Sequence, residues 1–171
     1  PIDFYNIENI IPALYEKGNN PLILVLDRIT DVRNFGAICR TALCASVDAI
    51  LIPEQNAAAI NADAIKTSAG ALLKIPICRT WNLKQSLQFL KDSGLQLIAC
   101  TEKAKNTIYN INYKNPTSII MGSEQDGISN EFIKMSHYKA KIPMSNSIDS
   151  LNVSVSTGII LSEAIKQRLE I

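Results

Sequence analysis

The chain has 171 residues, 47% of them apolar and 19% charged, with a net charge of +1. That is enough for one domain with a buried core, and the composition is far from that of a disordered chain. No apolar run reaches the roughly 18 residues that span a bilayer, and no signal-peptide pattern opens the chain. The near-neutral charge means that any nucleic-acid surface must come from uneven placement of cations or from a further segment.

The opening stretch, Asp3–Gly18, predicts an amphipathic leader helix, because Ile7, Ile10, Ile11 and Leu14 share one face and Gly18 suits its stop. Asn19-Asn20-Pro21 is a turn. Strand candidates then follow at Leu22–Leu26, Ala49–Ile52, Lys74–Cys78, Gln96–Cys100, Ser118–Met121 and Lys139–Ile142. Several are apolar without alternation, the pattern of parallel strands covered on both faces. Between them lie helix candidates at Phe35–Ser46, Ala62–Ala71, Leu83–Asp92 (with Asn82 as N-cap) and Asn130–Ser136, and a long final helix runs from about Asn152 to Leu169. This alternation predicts an α/β fold with a mostly parallel sheet flanked by helices: a leader over 1–20 and a single domain over 21–171. The chain begins at Pro1 rather than Met, which suggests part of a longer protein.

Cys39, Cys44, Cys78 and Cys100 form no C-x-x-C pair, and His137 is the sole histidine. No zinc-ligand spacing is present, so the cysteines read as small buried apolar residues of a protein from a reducing cytosol, and no metal is expected. His137 reads as a surface or structural residue.

In parallel α/β sheets, ligands bind on the loops after the strands, and three such loops carry unusual residues. The first runs from Asp27 to Gly36 and opens a helix that Asn34 or Asp31 would cap. Arg40 stands in that helix among Ala, Ile, Cys and Leu. It either meets a ligand or a charge partner, or it reaches out to solvent. The second is Gly122-Ser123-Glu124-Gln125-Asp126-Gly127, either a ligand loop with exposed backbone groups or a tight acidic turn. The third is Ile142-Pro143-Met144 through Ser150-Leu151-Asn152. It leads into a helix rich in small residues, Ser154, Ser156, Thr157 and Gly158, which fits close backbone packing, a ligand at the helix start, or both. No G-x-G-x-x-G, P-loop or G-x-S-x-G pattern occurs.

Taken together, the three loops resemble the signature motifs of the SpoU (TrmH) family of RNA ribose methyltransferases. Asn34, Gly36, Arg40, Thr41 and Ala42 resemble the first motif. Gly122, Ser123, Glu124 and Gly127 resemble the second. Ile142, Pro143, Met144 and Ser150 through Ser154 resemble the third. Lys66 to Ala71 is similar to a further family segment, and the likeness runs from about Pro21 to the C-terminus. The nearest subgroup methylates a guanosine ribose of 23S rRNA, while other relatives act on tRNA, and a non-catalytic RNA-binding protein on the same fold is the alternative from a different class.

The resemblance implies a C-terminal trefoil knot, a homodimer with the site near its interface, RNA as partner and S-adenosylmethionine as methyl donor. The donor would be held by Gly122, Ile142 and Leu151, with Met144 and Thr101 beside them. Arg40 would be the catalytic residue, deprotonating the 2′-hydroxyl together with a substrate phosphate or clamping that phosphate. A guanidinium gives up its proton only at high cost, which favours the clamp. Asn34 would position Arg40 or the ribose, and Glu124, Ser150 and Asn152 would organise the pocket. The sequence departs from the family pattern at Gln125-Asp126, at Asn146 where glycine is common, and in having a leader helix where many relatives carry a small RNA-binding domain.

Overall fold

A computed structural model describes residues 2–145 and 150–170. The expectation attached to Asn146 therefore lies outside the described residues.

Six strands, β1 (Leu22–Asp27), β2 (Ala49–Pro53), β3 (Ile77–Thr80), β4 (Gln96–Cys100), β5 (Thr117–Gly122) and β6 (Tyr138–Ala140), form one sheet in the order β3-β2-β1-β5-β4-β6. All five pairings are parallel. Helices α1 (Ile7–Glu16), α2 (Val32–Cys44), α3 (Ala62–Thr67), α4 (Leu83–Asp92), α5 (Asn130–Met135) and α6 (Val153–Leu169) cover its faces. Alternate residues of β1 explain its unbroken apolar run. Leu22, Leu24 and Leu26 belong to a core shared with α2, α3 and α6, whereas Ile23 and Val25 belong to a second core shared with α1, α4 and α5. Both faces are covered, so neither set of side chains can be polar.

The caps explain several boundaries. Asp31, not Asn34, caps α2, accepting from the Asn34 backbone N–H at 2.9 Å. Asn82 caps α4 as expected. The expected Asp3–Gly18 helix is shorter, because Asn6 caps it and Tyr5 instead pairs in parallel fashion beside β3 at Cys78. Gly18 does end this segment, with φ +75°. The leader is no free arm: Ile7 and Ile11 are buried, and the Tyr15 hydroxyl donates to the Ser93 carbonyl at 2.8 Å.

Two expected elements stop early. The Ala62–Ala71 helix ends at Thr67, because Ala69 and Gly70 take left-handed backbone angles (φ +53° and +82°). The strand expected over Lys74–Cys78 begins at Ile77: Lys74 closes a short 3₁₀ turn, and Pro76 has no N–H for a ladder. β6 ends at Ala140 rather than Ile142, since Lys141 leaves β4 to bond with Asn106 and Ile108.

Cys39 and Cys78 are buried and Cys100 is half-buried, and burial pushes all three thiols up to about 12. Cys44 departs from the expectation of buried cysteines and is exposed, at the solvent side of the last turn of α2. His137 accepts from the Leu97 N–H through Nδ1 at 2.9 Å, while its own N–H donates to the Leu97 carbonyl, so it is a structural residue pinned to β4.

Candidate active site at the switch point of the sheet

The strand order runs outward from β1 to β2 and β3 on one side and reaches β5, β4 and β6 on the other. The direction of winding therefore reverses between β1 and β5. A crevice opens at the carboxyl ends of such a pair, because the connecting segments depart on opposite sides. Asp27 and Gly122 are in register at the last rung between the two strands. The first and second loops leave from there, and the third comes back to them.

The loop after β5 folds back on itself. The Gly127 N–H donates to the Ser123 carbonyl at 2.8 Å, and the Asp126 N–H donates to Ser123 Oγ at 3.0 Å. Gly127 sits at φ +65°. A Cβ on Gly122 would fall 2.3 Å from the Gly127 carbonyl carbon, so only glycine lets the loop close.

Against this loop lies a cleft of about 650 Å³, solvent included. Gly122, Ile142, Leu151, Met144 and Thr101 all line it, as do Glu124 and Ser150. Met121, Ile128 and Ile142 supply apolar wall, and Thr101, Glu102 and Ser150 supply polar groups. This mixture suits a ligand with a flat apolar part and several hydrogen-bonding groups.

A second cavity adjoins the first across Ser123, Glu124 and Val153, and is also lined by Arg33, Asn34 and Asn152. Here the start of α6 is fully engaged. The Val153 N–H donates to Glu124 Oε1 at 2.9 Å, and Asn152 Oδ1 accepts from the Ser154 and Val155 N–H groups at 2.9 and 3.4 Å. Asn152 Nδ2 donates to Asn34 Oδ1 at 3.1 Å, joining the first and third loops. The α6 N-terminus has thus spent its free donors on its own chain.

Arg40 is the one predicted site residue that lines neither cavity. It is exposed, as the solvent-reaching reading of that position requires. Arg33 shares its face of α2, seven residues and about 10 Å away along the axis. Among the described residues neither arginine forms an ion pair. Arg33 escaped the sequence reading because it stands in a polar loop, where a cation is unremarkable. Asp27 carried a visible signal, a carboxylate ending an apolar strand, that went unread. The small residues of α6 have a mixed explanation: Thr157 is buried and bonds back to the Val153 carbonyl, but a Cβ on Gly158 would meet Thr41 at an ordinary 3.7 Å.

The fold and the cleft define a doubly wound parallel α/β protein with a cleft walled by three strand-end loops. The profile of the SpoU rRNA Methylase family matches residues 21–162, and the chain belongs to that family. It is 38% identical over 162 residues to the 23S rRNA (guanosine-2′-O-)-methyltransferase of Pseudomonas aeruginosa, a match covering 94% of this chain and 65% of that protein. The chain thus spans just under two thirds of the length of such relatives. An AdoMet-bound rRNA methyltransferase from Sinorhizobium meliloti superposes with a TM-score of 0.86 at 27% identity, over 98% of this chain and 62% of that one. The A. aeolicus TrmH/SpoU tRNA modifying enzyme superposes with a TM-score of 0.80 at 32% identity, over 96% and 85%. Among the described residues, no cluster of His, Cys, Asp or Glu is placed to hold a metal, and no helix is long and apolar enough to cross a membrane.

Proposed function

We propose that this chain transfers a methyl group from S-adenosylmethionine to a ribose 2′-hydroxyl of RNA, with a guanosine of 23S rRNA as the target. The observation that carries the reading is the gathering of Gly122, Ile142, Leu151, Met144 and Thr101, from three separate loops, in one cleft. The cleft fits the donor: Met121, Ile128 and Ile142 offer apolar surface for an adenine ring, and Gly122 lets the Gly127–Ile128 backbone close in to complete that wall.

When bound, the donor supplies a methyl group on a sulfonium, already activated for transfer. The protein's work is then to position and deprotonate the hydroxyl. The second cavity is the ribose and phosphate side of the site. Asn34 directs its free amide N–H groups to an RNA oxygen, because its carbonyl is taken by Asn152. Glu124 holds the head of α6, and with it Leu151 and Ser150, against the donor cleft. Arg40 takes a phosphate of the RNA in its fork and so orients the hydroxyl.

The exposed position of Arg40 on its own protomer accords with a homodimer that carries the site near its interface. Exposed Tyr109 and Val155 beside half-buried Ile159 give α6 an apolar strip that a second copy would cover. We also assign the family's trefoil knot to the C-terminal segment, with 21–171 as the catalytic unit, 1–20 as leader and the cytoplasm as its place of action. In support, Lys141 is bound to Asn106 and Ile108, Val153 to Glu124, and Gln167 to Ile111 and Tyr113, so the segment is tied first to the β4–β5 connection, then to the loop after β5, then to that connection again.

The test is methylation of RNA from cells lacking the gene, with labelled donor and localisation of the label by nuclease digestion and mass spectrometry. A 2′-O-methylguanosine in 23S rRNA that disappears with Arg40→Ala supports the reading. A label in tRNA keeps the chemistry and moves the substrate, an outcome favoured by the likeness to the A. aeolicus enzyme, 85% of whose length this chain covers. Absence of both label and donor binding overturns the reading in favour of a non-catalytic RNA-binding protein.

A further inference from the structure

The outer limb of the second loop, Asp126 to Ser129, is bridged to the inner limb at Ser123–Gly127 and carries buried Ile128, but its carbonyls face away from that bridge. Two consecutive residues at the end of β1 reach it from behind. Asp27, 3% exposed, accepts through Oδ2 from the Ser129 N–H at 2.7 Å and from Ser129 Oγ at 2.8 Å. Arg28 donates from Nη2 to the Gly127 carbonyl at 2.9 Å and to the Asp126 carbonyl at 3.2 Å. Its Nε lies 3.7 Å from Asp27 Oδ2, buried and with no hydrogen-bond partner.

Arg28 also sits at φ +61°, in the left-handed region that a side-chain-bearing residue seldom enters. Glycine would take this backbone angle without strain. A guanidinium in a strained backbone, with one N–H buried and unbonded, is a poor arrangement for stability alone. Its bonds go to the carbonyl side of the same loop whose Gly122, Ser123, Glu124, Gly127 and Ile128 form a wall of the donor cleft. Arg28 lines neither that cleft nor the adjoining cavity.

We propose that Arg28 is a positioning residue for the methyl donor: its guanidinium, braced by Asp27 and bonded through Nη2 to two successive carbonyls, holds the 122–129 loop in the shape that receives the donor. The inference rests on the proposed methyltransferase reading. Arg28 acts through the loop and touches neither donor nor RNA. Releasing the two carbonyls lets the outer limb move, so the donor must then order it on binding and binds more weakly. The RNA side is affected less, because Asn34 and Asn152 are held by each other and by α6.

Arg28→Gly is the decisive variant, because it removes the guanidinium while relieving the backbone strain. Arg28→Lys keeps a charged donor but loses the planar guanidinium and its reach, and it keeps the strained backbone. Titration of the full chain with S-adenosylmethionine, alongside urea unfolding of the ligand-free protein, separates affinity from stability. For Arg28→Gly we expect the donor Kd and KM to rise about tenfold, as loss of a pair of hydrogen bonds implies. We expect unfolding close to wild type and kcat at saturating donor changed less than the KM. Arg28→Lys should fall between the two. Wild-type donor affinity in Arg28→Gly overturns the inference, and so does a loss of affinity no larger than its loss of stability accounts for. Failure of the wild-type chain itself to bind the donor strikes instead at the methyltransferase reading.

Discussion

Asn152 gives its side-chain N–H to the side-chain oxygen of Asn34 at 3.1 Å, and this bond fixes the polarity of the second cavity. Asn152 Oδ1 is committed to the first N–H groups of α6, so its amide must point nitrogen-first at Asn34. Asn34 in turn must present its own nitrogen to the cavity. The helix start thus acts at a distance, through one asparagine, to turn the other's N–H groups toward the cavity.

Asn34→Asp tests this chain of orientation. The variant still accepts from Asn152, and a carboxylate in the first turn of α2 is favoured by the helix dipole. Stability should therefore stay level or rise by a few tenths of a kcal/mol, about the lower end of such dipole effects. Turnover on RNA should fall by roughly 100-fold or more, the scale for losing a well-placed donor and gaining a repelling charge. Donor affinity should not change. Equal turnover for variant and wild type in a single-turnover assay would remove Asn34 from the RNA side of the site.

Arg168 makes a separate prediction, at the far end of the sheet. Its guanidinium donates to the carbonyls of Tyr113, Asn20, Pro21 and Asn115, at 2.7 to 3.0 Å, tying the end of α6 to the entries of β1 and β5. Arg168→Ala should cost about 2–3 kcal/mol, the scale of a charged group with several bonds to part-buried carbonyls. Tm should then fall by roughly 4–12 °C for a chain of this length. Activity per folded molecule at 25 °C should be unchanged, since none of these atoms borders the cavities. Calorimetry beside an activity assay checks both halves.

His137 gives a pH dependence with a defined sign. Burial and the nearby Lys91 charge both lower its pKa below the usual 6.5. The unfolded chain therefore binds the proton more readily than the folded one, so stability falls as pH drops below about 6.5 and levels off once the lowered folded pKa is passed. The structural cause is plain: a proton on Nδ1 removes the acceptor for the Leu97 N–H. Urea midpoints between pH 7.5 and 5.5 should decline in the wild type and decline less in His137→Asn. A slope identical in the two proteins would place the titration elsewhere.

Much of this architecture was legible in the sequence because it depends on short-range rules. The unbroken apolar runs at Leu22 and Ser118 announced strands buried on both faces, and Asn82 announced a helix start. What could not be read is what arises between distant segments. Strand order depends on which run pairs with which, and nothing in the run at Thr117–Gly122 says that its neighbours are β1 and β4. The site shows the same division. The three motifs marked the loops, but the bond between Asn34 and Asn152 and the reach of Arg28 to Gly127 join residues about a hundred positions apart.

Two glycines show why a motif position needs its neighbours before it can be explained. Gly36 and Gly158 both stand in helices, at positions where the sequence carries family-motif or small residues. A Cβ at Gly36 would lie 2.7 Å from Thr67 Cβ and 3.1 Å from the Ala64 carbonyl, so α2 and α3 cannot come together around anything larger. A Cβ at Gly158 would meet only Thr41, at 3.7 Å. Gly36→Ala should therefore destabilise by about 1–3 kcal/mol, as overpacking does. Gly158→Ala should be neutral or stabilise by up to about 1 kcal/mol through helix propensity. The second variant also bears on assembly, because Gly158 lies beside Val155 and Ile159 on the strip assigned to a second copy. If that strip is the interface, Gly158→Ala should unfold no more readily than wild type at low protein concentration and yet show a weakened dimer in sedimentation. A variant that loses monomer stability instead would mean that this glycine is needed within the chain, against the contact geometry that leaves room for a methyl group.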